Sequence, residues 1–376
     1  MNILLTGATG IIGREVLTEL LLYIIHNQLG HKIICMARGS SFFPAHRRIQ
    51  ELVSTFCSTH QFNESEISKY IQVIDIGNDV PRSYSSLIMF LKKSEIKDLR
   101  VIHLASTVNI STMASSEEDI YTQSYLSTMD LLERLAPYIR QFSFTSTAFS
   151  CGHQHGIIPS EYNKLDIKAN RNYYERFKLE AERRIKHICD AKGITWQILR
   201  PSIVCGKLLN KPYYFTPKFN MFYEWVRFFY DLNSVGINLK GFRIKANPLS
   251  SINIISSDYV SKAIVKAFYV AEVMELNIVH SKSLEMPRFI SGIMNSVATK
   301  DFEIVDDKPE LPTVAEKLYY DTIGNQASPY LHTPQHQFET SRLRTLMADI
   351  PEPDIAAQFE NMLSYAIARE FKEEVL

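Results

Sequence analysis

The sequence predicts an α/β protein: a doubly wound parallel sheet with a smaller C-terminal α/β cap. Three observations carry this. Short β-rich runs alternate with helix-patterned segments from residue 2 to residue 200, as right-handed β-α-β units require. Five of the six β-rich runs hold Ile, Val or Phe in continuous apolar stretches, the pattern of a parallel strand buried on both faces. A glycine-spaced turn joins the first run to the first helix.

Strands are expected at Asn2–Thr6, Lys32–Ala37, Ile71–Ile76, Arg100–Ala105, Gln141–Thr147 and Thr195–Arg200. Helices are expected at Ile11–Gln28, Ala45–Thr59, Ser83–Ser94, Glu117–Ala136 and Asn172–Lys192. Beyond Arg200 the pattern changes. Residues 207–250 are irregular and aromatic, Ile252–Ile255, Ser257–Ala271 and Leu276–Val279 read as strand, helix, strand, and Pro287–Thr299 and Ile355–Phe371 read as helices. The expected division is 1–206 for a nucleotide-binding body and 207–376 for a substrate-side region packed on it, with 252–282 returning to the core sheet.

Composition narrows the class. The 376 residues carry 41 basic and 41 acidic side chains, so no global charge favours nucleic acid or an anionic membrane. Apolar residues make up 45%, enough to offset chain entropy and exclude wholesale disorder. Cys35, Cys57, Cys151, Cys189 and Cys205 are odd in number and lack CxxC spacing, against a disulfide framework or a cysteine zinc site. His153 with His155, and His332 with His336, lack convergent acids, so no metal is expected. The N-terminus lacks a signal-peptide pattern. The apolar run Leu20–Ile25 is far short of the ~20 residues a membrane span needs. A soluble, cytoplasmic protein is expected.

Thr6-Gly7-Ala8-Thr9-Gly10-Ile11-Ile12-Gly13 follows the first strand and opens the first helix. Gly7 permits the tight turn, Gly10 close backbone approach to a pyrophosphate, and Gly13 close packing of helix on strand. The free N–H groups and positive helix end then hold the anion. This GxxGxxG resembles the N-terminal fingerprint of the extended short-chain dehydrogenase/reductase family, a Rossmann fold, and the resemblance runs to about Tyr259. The second strand ends in Cys35-Met36-Ala37-Arg38, without the acid that would accept a ribose hydroxyl. Arg38 suits a 2′-phosphate, with Arg47 and Arg48 as further contacts, so NADP(H) is expected over NAD(H). The resemblance implies adenine contacts at Asp75 and Ile76, and a turn beneath the cofactor at Leu104, Ala105 and Ser106. It also places Pro201, Ser202 and Ile203 on the cofactor.

Tyr174 and Lys178 form a YxxxK, which puts phenol and ammonium on one helix face. A nearby cation is expected to lower the phenol's pKa toward a useful range. Tyr214–Lys218 is a second match, but Pro217 breaks a helix there. In Phe144-Thr145-Ser146-Thr147-Ala148 the family's catalytic hydroxyl position falls on Thr147, with Ser146 second. Ser124 stands where the family commonly has asparagine in its fourth helix.

Arg38 with Arg48-Ile49, Ser146-Thr147-Ala148, Ala181-Glu182, Ser257-Asp258-Tyr259-Val260 and Ser328-Pro329-Tyr330-Leu331 resemble the thioester reductase and fatty acyl reductase branch (the "male sterility"-type NAD-binding domain). This implies NADPH-dependent reduction of an acyl thioester, carrier-protein- or CoA-bound, to aldehyde or alcohol in natural-product or lipid biosynthesis. Alternatives on the same fold are an alcohol dehydrogenase, a ketone reductase or a nucleotide-sugar epimerase. A non-catalytic NADP-binding sensor is a further one. The aromatic stretch Tyr213–Tyr230 reads either as a greasy lid over an acyl chain or as a helix covering the sheet. Lys240, Arg243 and Lys245 read as a solvated loop or as a contact for an acidic carrier protein.

Overall fold

A computed structural model describes the chain except residues 41, 78–79, 107, 111–112, 155, 163–164, 333–335 and 375–376, and the side chains of 80–83 and 114. Seven strands form its central sheet: β1 (Asn2–Thr6), β2 (Lys32–Ala37), β3 (Ile71–Asp75), β4 (Leu99–His103), β5 (Ile139–Thr145), β6 (Thr195–Pro201) and β7 (Met274–Ile278). Their order is β7-β6-β5-β4-β1-β2-β3, and every pairing is parallel. The sheet is therefore a doubly wound Rossmann sheet. Its strand order reverses between β1 and β4, which opens a crevice at their carboxyl ends.

Helices cover both faces because the strands are apolar on both. On one face α1 (Ile11–His26), α2 (Ala45–His60) and a later helix over Ser257–Val270 bury Leu20, Leu21, Ile49, Ile264 and Phe268. On the other, α3 (Val80–Lys93), α4 (Ser127–Leu135) and α5 (Tyr173–Lys192) bury Leu91, Leu132, Ile185 and Cys189. The segment read as one helix over Glu117–Ala136 is interrupted, since Tyr121–Leu126 forms a π-helical turn ahead of α4.

The C-terminal region has its own core. Within the stretch expected to be irregular, α6 (Phe222–Ser234) forms. It packs against α8 (Met286–Ser296) and α10 (Ile355–Ala368), where α7 is the Ser257–Val270 helix and α9 spans Ile323–Leu331. Phe222, Trp225, Phe229, Phe289, Tyr319 and Phe359 interlock there. Most of the aromatic stretch is thus cap core and does not cover the central sheet. Short parallel pairs link the cap to the body: Ile203–Cys205 with Ile254–Ser256, and Gly156–Ile158 with His336–Phe338.

One buried ion network spans both parts. The fully buried Arg200 of β6 lies over the Tyr162 ring at 3.8 Å. It donates to Glu182 of α5 at 2.7 and 3.0 Å and to Glu275 of β7. A buried guanidinium needs such a full set of acceptors to offset its desolvation. In the cap, Asp258 accepts the backbone N–H groups of Leu208, Leu209 and Asn210 at 3.1, 2.6 and 2.9 Å, so a helix-opening carboxylate gathers the loop that leaves Cys205. Among the described residues, no helix is long and apolar enough to cross a membrane.

Candidate active site

The glycine turn is shaped by contact. Gly7 has φ of +72°, a conformation that penalises any Cβ. A Cβ on Gly13 would lie 1.9 Å from the Gly7 carbonyl oxygen. Gly10 caps α1 without any side-chain hydrogen bond, and no acid occupies the first turn, so the N-terminal N–H groups around Thr9, Ile11 and Ile12 face an anion-favouring field. Thr6 Oγ1 accepts from the N–H of Leu104 and of Ala105, each at 3.2 Å, which brings the end of β4 against the turn. The Ser106 hydroxyl donates to that of Ser124 in the π-helical turn at 3.3 Å.

His103 is a pillar under this turn. It joins Thr6 at 2.8 Å through Nδ1 and Thr128 at 3.0 Å through Nε2. Burial, aided by Lys178, pushes its pKa down to about 3, so the ring is neutral and serves as one donor and one acceptor.

At the end of β2, Arg48 donates to the Arg38 carbonyl at 2.6 Å. Its Nε is buried without a hydrogen-bond partner. Burial and the Arg38 charge both hold its pKa below the ordinary arginine range. Two like charges that repel each other, one with an unsatisfied donor, favour a shared anion. Arg47 is used elsewhere, lying over the Phe43 ring at 4.5 Å and 3.8 Å from Glu51. Asp75 turns its carboxylate to the Gly77 N–H at 2.8 Å, and the Ile76 N–H donates to Ala37. At the end of β6, Ser202 N–H donates to Ile278 and Ile203 N–H to Asn253, while Ser202 Oγ is buried without a partner.

Of the proposed acid–base residues, Lys178 reaches the end of β5. Asn172 caps α5 by accepting the Glu175 N–H at 3.0 Å, so Tyr174 lies in the first turn and Lys178 one turn further on. Lys178 reaches back to donate to the Thr145 carbonyl at 2.9 Å. Arg171 donates to the Phe149 carbonyl, and Asn170 to that of Ser150. These bonds tie the start of α5 to the loop carrying Thr147. Thr147 Oγ1 accepts the Phe149 N–H at 3.3 Å, which leaves its hydroxyl hydrogen for another acceptor. Ser146 instead donates to Glu182 in the Arg200 network, so its proton is already committed.

The charge logic corrects the expectation of a cation-acidified phenol. Burial and the neighbouring Glu175 carboxylate push the Tyr174 phenol up. Lys178 sits 5.8 Å from its ring centroid and spends its ammonium on Thr145. Tyr174 is therefore protonated at neutral pH, the state an acid needs to donate to a developing oxyanion. Burial pushes Lys178 down to about 7, against a smaller opposing pull from Glu182. The unfolded chain keeps that proton up to about 10.5, so between pH 7 and 10 it binds more protons than the folded chain and this residue's contribution to stability rises with pH. We expect wild type to gain urea stability relative to Lys178→Met between pH 6.5 and 9. Parallel curves would refute the buried, depressed ammonium.

Three residues at this site were not singled out from sequence: Arg171, Asn172 and Glu175. The Asn172-x-x-Glu175 spacing is a helix-start signature that was available, whereas nothing local marks the partners of Arg171. Among the described residues, no three His, Cys, Asp or Glu side chains converge as a metal site would need; His155 lies outside the described residues. Arg243 is held by Glu316 at 2.8 Å and Lys245 by Asp307 at 3.1 Å, so these cations already have acidic partners in the cap.

A family profile described as "male sterility protein", an NAD-binding family, matches residues 5–264. The chain belongs to this family. Its fold is that of the extended short-chain dehydrogenases/reductases. Among solved structures it resembles the terminal R domain of the myxalamid PKS-NRPS pathway, with TM-score 0.68 and 16% identity over 100% of this chain and 92% of that one. It also resembles UDP-glucuronic acid 4-epimerase from Bacillus cereus, with TM-score 0.64 and 19% identity over 98% and 100%. The UDP-Glc/GlcNAc 4-epimerase of Campylobacter jejuni aligns with TM-score 0.63 and 16% identity over 98% of each chain. At these identities the likeness shows the shared fold. No curated protein matches the sequence.

Proposed function

We propose that this family member is an NADPH-dependent reductase of acyl thioesters, carrier-protein- or CoA-bound, yielding aldehyde or alcohol. One observation carries the choice of substrate. A narrow apolar cleft of about 50 Å³, between the cap and the end of β6, is walled by Ile203, Met221, Phe222, Trp225, Phe289 and Tyr330. Glu224 is the sole charged residue among its described lining residues. An apolar cleft suits an acyl or aryl chain, whereas a sugar diphosphate would need cations.

The residues fit a phosphorylated dinucleotide. Gly7, Thr9, Gly10, Ile11, Ile12 and Gly13 would cradle the pyrophosphate in a turn whose close packing leaves no room for a Cβ at Gly7 or Gly13. Arg38 and Arg48, with its unsatisfied Nε, would take the 2′-phosphate. Asp75 and Ile76 would flank the adenine; Leu104, Ala105, Ser106, Pro201, Ser202 and Ile203 would line the rest of the crevice. When bound, the dinucleotide supplies a hydride. Tyr174 and Thr147 would hold the carbonyl oxygen as charge develops, with Tyr174 donating its proton. Lys178 would anchor the ribose and keep the β5 loop in place. Collapse of the resulting hemithioacetal releases thiol and aldehyde. In this reading 1–206 binds the cofactor and 207–376 selects the chain.

The test is NADPH oxidation with octanoyl-pantetheine against octanal and 2-octanone. Consumption with the thioester supports the reading; consumption with aldehyde or ketone alone points to a carbonyl reductase and overturns it. Arg38→Ala should weaken NADPH by about tenfold or more, the size of one charge-assisted hydrogen bond, and leave NADH nearly unchanged by fluorescence titration. Equal losses would refute the 2′-phosphate assignment.

A further inference from the structure

Tyr330 stands at a junction between the cap and the first turn of α5. It comes from α9. Its ring walls the apolar cleft and packs edge-on against Phe149 with centroids 5.7 Å apart. Phe149 is the residue whose N–H holds Thr147 Oγ1. The Tyr330 hydroxyl accepts from Asn172 Nδ2 at 2.8 Å, and the buried Glu175 carboxylate acts on it electrostatically. Asn172 is the cap of α5, and Glu175 is paired at 3.0 Å with Arg171, both side chains being fully buried. Tyr174 lies between these two partners in the chain.

We infer that Tyr330 is a positioning residue, through which the wall of the acyl cleft fixes the turn that aims Tyr174. This rests on the acid role proposed for Tyr174. A buried hydroxyl held by a side-chain amide is fixed in place, and that amide belongs to the cap of α5, two residues before the phenol. The cap that grips the chain and the turn that carries the acid are thereby one rigid unit. Small misplacements of a reacting group are costly, up to about 10²-fold per ångström. The ring and the hydroxyl make separable contributions, the ring to chain binding and the hydroxyl to turnover.

The experiment uses the full chain with NADPH and octanoyl-pantetheine. Tyr330→Phe keeps the ring and removes the hydrogen bond to Asn172. Asn172→Ser keeps a cap acceptor and removes the Nδ2 donor. For each, kcat should fall about tenfold with KM for octanoyl-pantetheine within about twofold, and the double variant should be no worse than either. Amide exchange at residues 175–178 should speed up in both variants, with protection of the central strands unchanged. Wild-type exchange and wild-type kcat in Tyr330→Phe would overturn the inference, as would losses in the double variant that multiply. If the wild type consumes no NADPH with the thioester, the functional reading fails by itself, and exchange at 175–178 still decides whether Tyr330 holds the turn.

Discussion

Tyr174→Phe should lower turnover by about 10³-fold, within the range lost when a positioned acid is removed. The substitution deletes one oxygen and leaves the ring in the first turn of α5. Asn172 still caps the helix, and Lys178 still holds the Thr145 carbonyl. NADPH affinity should therefore change by no more than about twofold, because the remaining contacts to the dinucleotide are intact. Single-turnover rates with saturating NADPH separate the two quantities. Turnover at wild-type level would remove Tyr174 from the chemistry. A parallel loss of NADPH binding would mean that the phenol is a cofactor ligand first.

Gly13→Ala should abolish dinucleotide binding and cost about 2–3 kcal/mol of stability, the scale of an overpacked core position. The new methyl would fall 1.9 Å from the Gly7 carbonyl oxygen and within 2.9 Å of Ala8 Cα, so α1 must move off β1. That shift carries the N–H groups of the turn away from the pyrophosphate position. Gly30→Ala is the matched control, since no atom lies within 4 Å of a Cβ there. Calorimetry of both variants with and without NADPH checks the effect. A Gly13→Ala protein that still binds NADPH normally would show that α1 can retreat without altering the cradle.

The sheet was legible because a doubly covered strand leaves a local mark. The first six strands lie within two residues of where their apolar runs place them, and β1 and β2 have the same bounds. β4 stops at His103, two residues before its apolar run ends, because Leu104 and Ala105 give their N–H groups to Thr6. The glycine turn and the YxxxK were legible for the same reason, since each is a short pattern with its own geometry. Features set by distant partners were not. Ser146 and Thr147 were ranked from sequence only by family position, and what separates them physically is Glu182, which takes the Ser146 proton. Helical spacing in the 219–230 stretch was visible, but its burial partners lie on α8 and α10. The π-helical turn at Ser124 fell inside a pattern too coarse to show one extra residue per turn.

The edge strand β7 has a consequence for how the protein is made. It comes from residues 274–278 and closes the open side of β6. It also delivers Glu275 to Arg200. While a nascent chain leaves the ribosome, the sheet carries a bare, apolar edge and a half-paired buried guanidinium until the chain has passed residue 278, well into the cap. Such an edge templates strand addition by other copies. A fragment ending at residue 206 should therefore aggregate, and supplying residues 207–376 in trans should rescue its solubility only if β7 can still dock.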